Sequence, residues 1–445
     1  MIENYILTQV FTPAMKYWNK EIETMNLKEL KKLQLRKLKK TVKYVYDRNR
    51  FYRAMLKKAR IRPDDIKSLK DIEKIPFLTK DDLRKYYPFG LVCVPMNEIV
   101  EIHASSGTTG KPVVGPYTKN DLKIWSEVMA RCLYANGLRK NDIMQNAYGY
   151  GLFTGAHGFE RGAQKIGALV VPTSSGNTKR QIQLMKDFGT TALACTPSYS
   201  LYVAEEAIKM NLNPKKDFKL RLGLFGAEAW GDEIRKKIES TWNIKALEHY
   251  GLTEIIGPGV SLDCGMRKGL HVNADHFYME IIDPKTGETL EPGEKGELVF
   301  TTLTKEAFPV LRFRTKDLAS YTEEKCKCGR TMPRHSRIMG RSDDMMKVKG
   351  VIVFPSQIEE AVMKVKGVSE NYQIIKYKKG VVTELMVKVE PTETMFKKGS
   401  LDKLKKQVEE EIYSTLNLRI NTEIVKPGTL PRSEGKAKRV VDLTG

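Results

Sequence analysis

Leu27, Leu30, Leu33, Leu38, Val42 and Val45 recur every three to five residues, with lysines and arginines between them. That spacing puts one apolar stripe on a helix running through residues 27–61 and leaves its other faces basic. Arg62-Pro63-Asp64-Asp65 closes the segment as a turn. From about residue 100 to 340 the pattern changes. Short apolar runs at 143–148, 168–172, 191–196 and 220–225 alternate with longer helical stretches, which predicts α/β layers. Strand-like runs at 278–283 and 296–303 follow, flanked by the turns Asp283-Pro284-Lys285-Thr286-Gly287 and Glu291-Pro292-Gly293. They predict an antiparallel or barrel-like subdomain. Beyond the polar run Gly340-Arg341-Ser342-Asp343-Asp344, strands at 372–377, 384–390 and 422–425 and a helix at 401–416 predict a small α/β domain. The expected organisation is a body over residues 1–340, of which 1–100 is helical and basic, and a C-terminal domain over 341–445.

The chain has 445 residues, 41% of them hydrophobic and 29% charged, which excludes global disorder. No apolar run approaches the ~20 residues of a membrane span. Met1 to Lys20 lacks a basic start followed by an apolar stretch, so the expected location is the cytoplasm, with no membrane partner. The net charge is +22, and residues 1–100 hold 23 basic against 12 acidic side chains. Such an excess attracts nucleic acid, an anionic membrane or a polyanionic small molecule. The charges fall on the polar side of the helical period, so a solvated helix docked on a core is preferred. Cys93, Cys132 and Cys195 read as small buried thiols.

Several segments carry candidate chemistry. Ser105, Ser106, Gly107, Thr108, Thr109, Gly110 and Lys111 offer hydroxyls, close backbone approach and a charge, a composition that suits a phosphate-wrapping loop. It is not a Walker loop, because two residues rather than four separate the glycines and Pro112 follows the lysine. Gly149, Gly151 and Gly155 miss the dinucleotide spacing, whereas Tyr148, Tyr150 and Phe153 put three rings in a glycine-rich loop and suggest an aromatic ligand pocket. Cys264, His271, Cys326 and Cys328 match the donor set of a tetrahedral structural Zn²⁺ site, with reduced, unligated thiols as the alternative. An exposed Cys326-Lys327-Cys328 in a reducing compartment has no other structural reason.

Phe225-Gly226-Ala227-Glu228, Tyr250-Gly251-Leu252-Thr253-Glu254, Arg312 to Asp317, the 340–344 run and Leu430 to Lys436 are each ordinary alone. In this order and spacing the set resembles the adenylate-forming superfamily of acyl-CoA synthetases, adenylation domains and luciferases, over nearly the whole chain. The strings His103 to Pro112, Tyr148 to Gly155, Cys195-Thr196-Pro197-Ser198-Tyr199, Gly226-Ala227-Glu228 and Phe354 to Glu359 look most like the phenylacetate–CoA ligase family. Two positions depart from the family pattern. Ala229 stands where a proline is usual. Ile352 replaces an asparagine in a loop tied to thioester formation.

The resemblance implies an α/β fold. A large N-terminal adenylating body of several subdomains, one β-barrel-like, would carry a small mobile C-terminal domain. It implies that ATP and Mg²⁺ activate an aromatic carboxylic acid as an acyl-adenylate, which passes to coenzyme A. Ser105 to Lys111 would cradle phosphates, Glu254 would hold Mg²⁺, and Thr253 would lie near the α-phosphate. Gly226, Ala227, Glu228, His249, Tyr250 and Gly251 would line the adenine side. Asp317 would take the ribose hydroxyls, Arg341 ribose or phosphate, and Lys436 the attacking carboxylate. Tyr148, Tyr150, Phe153, Ile256, Gly257 and Pro258 would line the acid pocket, and Asp343 would be the hinge. A homodimer is a further implication. Transfer to a carrier protein, or adenylation of another coenzyme, stays open at Ile352. A zinc-stapled nucleic-acid-binding protein would fit the charge but leaves the phosphate loop and Lys436 without a purpose, so no nucleic-acid partner is expected.

Overall fold

The computed structural model describes residues 16–105, 111–348, 351–379, 382–433 and 437–444. The basic segment forms two helices, Leu27–Arg48 and Arg50–Lys58. Asn49 breaks them. Its extended backbone ends the first helix, and its side chain accepts from Phe51 N at 2.9 Å to cap the second. The same side chain donates to the Gly90 and Val92 carbonyls, which ties the break to a neighbouring loop. Leu30, Leu38, Val42 and Val45 are buried as the periodicity predicts. Gln34 joins them because its amide donates to Ala274 O at 2.9 Å. The helices therefore dock on the body with most of their lysines outward, Lys37 excepted, whose ammonium donates to Asp275 O.

Among the described residues, a nine-stranded sheet forms the centre of the body. Five strands are parallel, in the order Leu169–Val171, Ile143–Asn146, Ala192–Cys195, Leu222–Gly226 and Lys245–Leu252. Helices such as Thr154–Ile166 and Pro197–Lys209 make the crossovers, the second started by a Thr196 cap and Pro197 at its first position. Gly257–Asp263 then pairs antiparallel with Lys245–Leu252. A separate antiparallel sheet joins Phe277–Ile282, Gly296–Thr302, Phe313–Ala319 and Gly340–Arg341, as the turn signals predicted. Arg341 is thus still paired with the body.

The C-terminal domain has its own core, from Met346 to Ile420. A four-stranded sheet is built on Val368–Lys379 and Val382–Pro391 and is covered by the helices Pro355–Lys364 and Leu401–Leu416. The strand Val440–Asp442 pairs parallel with Val368–Lys379, which brings the chain's last residues back to this sheet. Among the described residues no helix is long and apolar enough to cross a membrane.

Candidate active site

The predicted residues gather where the parallel strands end. Tyr148 follows Ile143–Asn146, Ser198 follows Ala192–Cys195, Glu228 follows Leu222–Gly226, and Thr253 and Glu254 follow Lys245–Leu252. Carboxyl ends of parallel strands are where open α/β sheets bind ligands, because chain direction changes there and leaves a crevice. Residues 106–110 of the phosphate loop and Lys436 lie outside the described residues. The loop's borders are fixed, since Ile99–Ala104 and Val114–Thr118 form an antiparallel pair on either side and Ser105 N donates to Val113 O.

Antiparallel register sets Asp317 opposite Arg341. Arg341 Nη1 reaches Asp317 Oδ1 at 3.1 Å, and Tyr250 donates its hydroxyl to Asp317 Oδ2 at 2.7 Å. Burial raises the Asp317 carboxyl to about 6, against the opposing pull of Arg341 and Tyr250. Arg341 also grips Asp343 through Nε and Nη2, both at 2.9 Å. The nucleotide group and the proposed hinge therefore share one guanidinium.

Glu254 is buried, with Oε1 3.0 Å from Lys80 Nζ and without a hydrogen bond. Lys80 opens the short helix Lys80–Lys85, and nothing in its local sequence marks it. The segment after Glu254 is pinned carbonyl by carbonyl. Lys305 donates to Ile255 O at 2.8 Å, Tyr117 to Ile256 O at 3.0 Å, and Trp125 to Pro258 O at 2.8 Å. Lys305 is buried, its ammonium 4.8 Å from the Tyr117 ring centre, and burial lowers it to about 8. Gly257 has φ +92°, and a Cβ there would strike Thr154 and Trp125. Ile256, Gly257 and Pro258 are thus held on a rigid aromatic floor. Sequence reading missed its three anchors because each lies far along the chain from the carbonyl it holds.

The three loop aromatics separate. Tyr148 is buried and stacks on Phe159, whose ring meets His249 edge-on. Tyr150 accepts from Asn146 Nδ2 at 3.0 Å and sits edge-on to His157. Phe153 takes the N-cap position of the helix Thr154–Ile166 and, at 52% exposed, is the most open of the three rings. His249 is buried with neither ring nitrogen hydrogen-bonded, and burial lowers it to about 3, so it is neutral. A neutral imidazole with a free donor and a free acceptor suits a heterocyclic ligand such as adenine. Gly226 has to lack a side chain, since a Cβ would stand 2.6 Å from His249 O. The Glu228 carboxylate is taken by Ser198, whose hydroxyl lies 2.9 and 2.8 Å from its two oxygens.

Cys264, His271, Cys326 and Cys328 converge, with all four donor atoms within 4.8 Å of one another. Cys264 Sγ is 3.8 Å from Cys326 Sγ, and Cys328 Sγ is 3.4 Å from His271 Nε2. A tetrahedron with zinc–sulfur bonds of ~2.3 Å has edges of about 3.8 Å. His271 Nδ1 donates to Met332 O, which leaves Nε2 with a lone pair toward the thiols. Cys326 and Cys328 are buried rather than exposed as expected, because Tyr17 packs over Gly329 and donates to Cys328 O.

The family model for AMP-binding enzymes matches residues 5–303, and that for the AMP-binding enzyme C-terminal domain matches 350–444. The chain is 44% identical over 439 residues to a phenylacetate–coenzyme A ligase of Thermus thermophilus, covering 95% of this chain and 98% of the relative. The chain belongs to the phenylacetate–CoA ligase family. A second member, from Escherichia coli, is 45% identical over 425 residues, with 95% and 97% covered. The ligase also superposes on 2-hydroxyisobutyryl-CoA ligase in the postadenylation state with 2-HIB-AMP, at TM-score 0.92 and 28% identity, over 99% of this chain and 94% of that one. The same relative in its thioesterification state, with coenzyme A, gives TM-score 0.73 over the same coverage. As a phenylacetate–CoA-ligase-type enzyme the chain is an AMP-forming CoA ligase, making an acyl-adenylate from ATP and then a thioester with coenzyme A.

Proposed function

We propose that this ligase activates an aromatic carboxylic acid of the phenylacetate class. The observation that carries the proposal is the floor beside Glu254, where Tyr117 and Trp125 stack at 5.0 Å and hold Ile256 and Pro258 by their carbonyls. Both rings are fully buried, so they do not touch a ligand themselves but hold the 256–258 wall rigid for a flat ring. The relatives named phenylacetate–coenzyme A ligases support the same class.

In the first half-reaction the acid's carboxylate oxygen attacks the α-phosphorus of ATP. The bond to the β-phosphate oxygen breaks and pyrophosphate leaves. Catalysis is mostly positioning and charge neutralisation. Ser105 to Lys111 hold the outgoing phosphates, and Thr253 lies at the α-phosphate. Asp317 accepts the ribose hydroxyls beside Tyr250 and Arg341. His249, Tyr250 and the 226–228 and 251 backbone line the adenine. Lys436 offsets the charge gathering at the carboxylate. Glu254, buried and short of hydrogen bonds, fits Mg²⁺, which would supply further neutralisation of phosphate charge. In the second half-reaction the thiol sulfur of coenzyme A attacks the acyl carbon and AMP leaves. Ile352, 52% exposed on the strand Val351–Val353 of the C-terminal domain, stands at the position tied to this step. Cys264, His271, Cys326 and Cys328 hold a structural Zn²⁺, four donors leaving no open position. Buried, unpaired Cys93, Cys132 and Cys195 fit a reducing compartment such as the cytoplasm.

Pyrophosphate release with phenylacetate, hydroxyphenylacetate, indoleacetate and benzoate, with and without coenzyme A, tests the proposal. Release with at least one aryl acid, and its aryl-CoA product when coenzyme A is present, is expected. Release with short aliphatic acids alone would overturn it.

A further inference from the structure

Glu228 ends the strand Leu222–Gly226 through a backbone that costs energy. Ala227 takes φ +70°, the left-handed region that non-glycine residues enter at a cost of about 1–2 kcal/mol. Strain of this kind persists where surrounding contacts fix the conformation. Here the turn swings the Glu228 side chain onto the first turn of Pro197–Lys209, where both the Ser198 hydroxyl and Ser198 N donate to it, the latter at 3.3 Å. A carboxylate at that position satisfies one of the helix's orphan N–H groups and meets the positive end of its dipole. The body alone therefore fixes both oxygens.

The third donor comes from the other domain. Ala437 N donates to Glu228 Oε1. Ala437 directly follows Lys436 in the sequence. Three more contacts hold the same domain arrangement: Gly231 N to Glu359 Oε1 at 3.4 Å, Lys237 to Glu370 at 2.6 Å, and Arg432 to Glu205 at 3.5 Å. Of the four, the Glu228 contact lies next to the residue assigned to the reacting carboxylate. The arrangement matches the postadenylation relative at TM-score 0.92 and the thioesterification relative at 0.73.

We propose that Glu228 is a positioning residue for adenylation: anchored by Ser198, its carboxylate receives the Ala437 N–H and holds the C-terminal domain in the adenylating arrangement. It acts on the first half-reaction alone, because the contact belongs to the arrangement in which adenylation is completed. This goes beyond lining the adenine, and it rests on the role proposed for Lys436. An amide at this position cannot replace the carboxylate. With its oxygen in the place of Oε1 it can accept from both the Ser198 hydroxyl and Ala437 N, but its NH₂ then faces Ser198 N, and the negative charge that draws all these donors is lost.

The test separates the half-reactions. Pyrophosphate release from ATP and acid measures the first, and thioester formation from supplied aryl-adenylate and coenzyme A measures the second. Glu228→Gln is expected to lower kcat for pyrophosphate release about 10- to 100-fold, the range of a lost hydrogen bond to a charged group. KM for ATP should stay within about threefold and thioester formation within about twofold. Ser198→Ala, which loosens the anchor and keeps the carboxylate, should shift the same step in the same direction by less. Matched thermal midpoints confirm folded proteins. Equal loss in both half-reactions, unchanged pyrophosphate release, or a raised KM for ATP at unchanged kcat would overturn the proposal. Lys436→Ala runs alongside. If it keeps full adenylation, the assignment of Lys436 fails. If it loses adenylation while Glu228→Gln shows no selective loss, only the Glu228 proposal fails.

Discussion

Asp317→Asn should make the ligand-free ligase more stable and ATP binding much worse. Asp317 is fully buried, and its carboxyl is raised from 3.8 to about 6. At ~1.4 kcal/mol per pKa unit, holding the charged form inside the fold costs about 3 kcal/mol. The sign follows from proton uptake. The native carboxyl binds its proton more tightly than the unfolded one, so the cost is absent below about pH 4, grows between 4 and 6, and is complete above 6. Asparagine escapes that cost but turns an N–H toward Arg341, losing the 3.1 Å contact at about 1–2 kcal/mol. Arg341 keeps its paired bonds to Asp343. The net gain is about 1–2 kcal/mol at pH 8, or a rise of roughly 1–4 °C in the melting midpoint of the body. Against this, two hydrogen bonds from ribose hydroxyls to a charged acceptor weaken, at about 1–1.5 kcal/mol each, so KM for ATP should rise on the order of 30- to 150-fold. Thermal melts at pH 8 and 4.5 and pyrophosphate-release kinetics measure both effects. In the wild type, KM for ATP should also rise as pH falls through about 6, and in the variant that dependence should vanish. An unchanged KM, or a variant less stable at pH 8 than at pH 4.5 relative to wild type, refutes the reasoning.

Lys80→Met frees Glu254 from the cation 3.0 Å away. The Mg²⁺ concentration that half-saturates pyrophosphate release should fall about 2- to 5-fold, the scale of a partly exposed ion pair, and no change would mean that Glu254 does not hold the metal. Asp343→Pro stiffens the junction between Gly340–Arg341, paired with the body, and Met346–Val348, part of the C-terminal core. It should spare adenylate formation and stop thioester formation, and equal loss of both would count against the hinge. Metal analysis should find one zinc per chain. Cys328→Ser should lose it and lower the melting midpoint by several degrees, since a bound structural ion contributes directly to folding free energy. Zinc no higher than background in the wild type ends that assignment.

What could be read from the sequence was whatever repeats locally or falls in a distinctive string. The helix Leu401–Leu416 follows from its apolar period. Four of the five parallel strands follow from short runs between helices, their ends within two residues of the runs, whereas Lys245–Leu252 was not among those runs. The zinc donors were legible because cysteine and histidine are few. Asn49 was not, because a polar residue within a helical period looks like one more exposed position; only its partners at Gly90 and Val92 make it a break. Lys80, Lys305, Tyr117 and Trp125 are ordinary residues that matter through carbonyls and carboxylates fifty or more positions away.

The buried polar groups explain how one active site serves two reactions. Native folds leave few buried donors or acceptors unpaired, so those that remain deserve a cause. In this enzyme His249 keeps both ring nitrogens free, Glu254 has an oxygen without a hydrogen bond, and Asp317 carries a charge the fold disfavours. All three sit on the body, two at the end of one parallel strand and the third across the crevice from it. The cost is borne by the rigid part, which stays shaped for the nucleotide through both half-reactions. The polar contacts between the domains are of another kind: Ala437 N to Glu228, Gly231 N to Glu359, the Ser356 hydroxyl to Met339 O, and two ion pairs. Each is satisfied and modest, and water can replace it once the domains part. A site that had to assemble its nucleotide pocket from both domains would lose AMP whenever the domain moved. If the C-terminal domain turns between the half-reactions, keeping His249, Glu254 and Asp317 on the body would let the acyl-adenylate stay bound while the boundary contacts exchange with water.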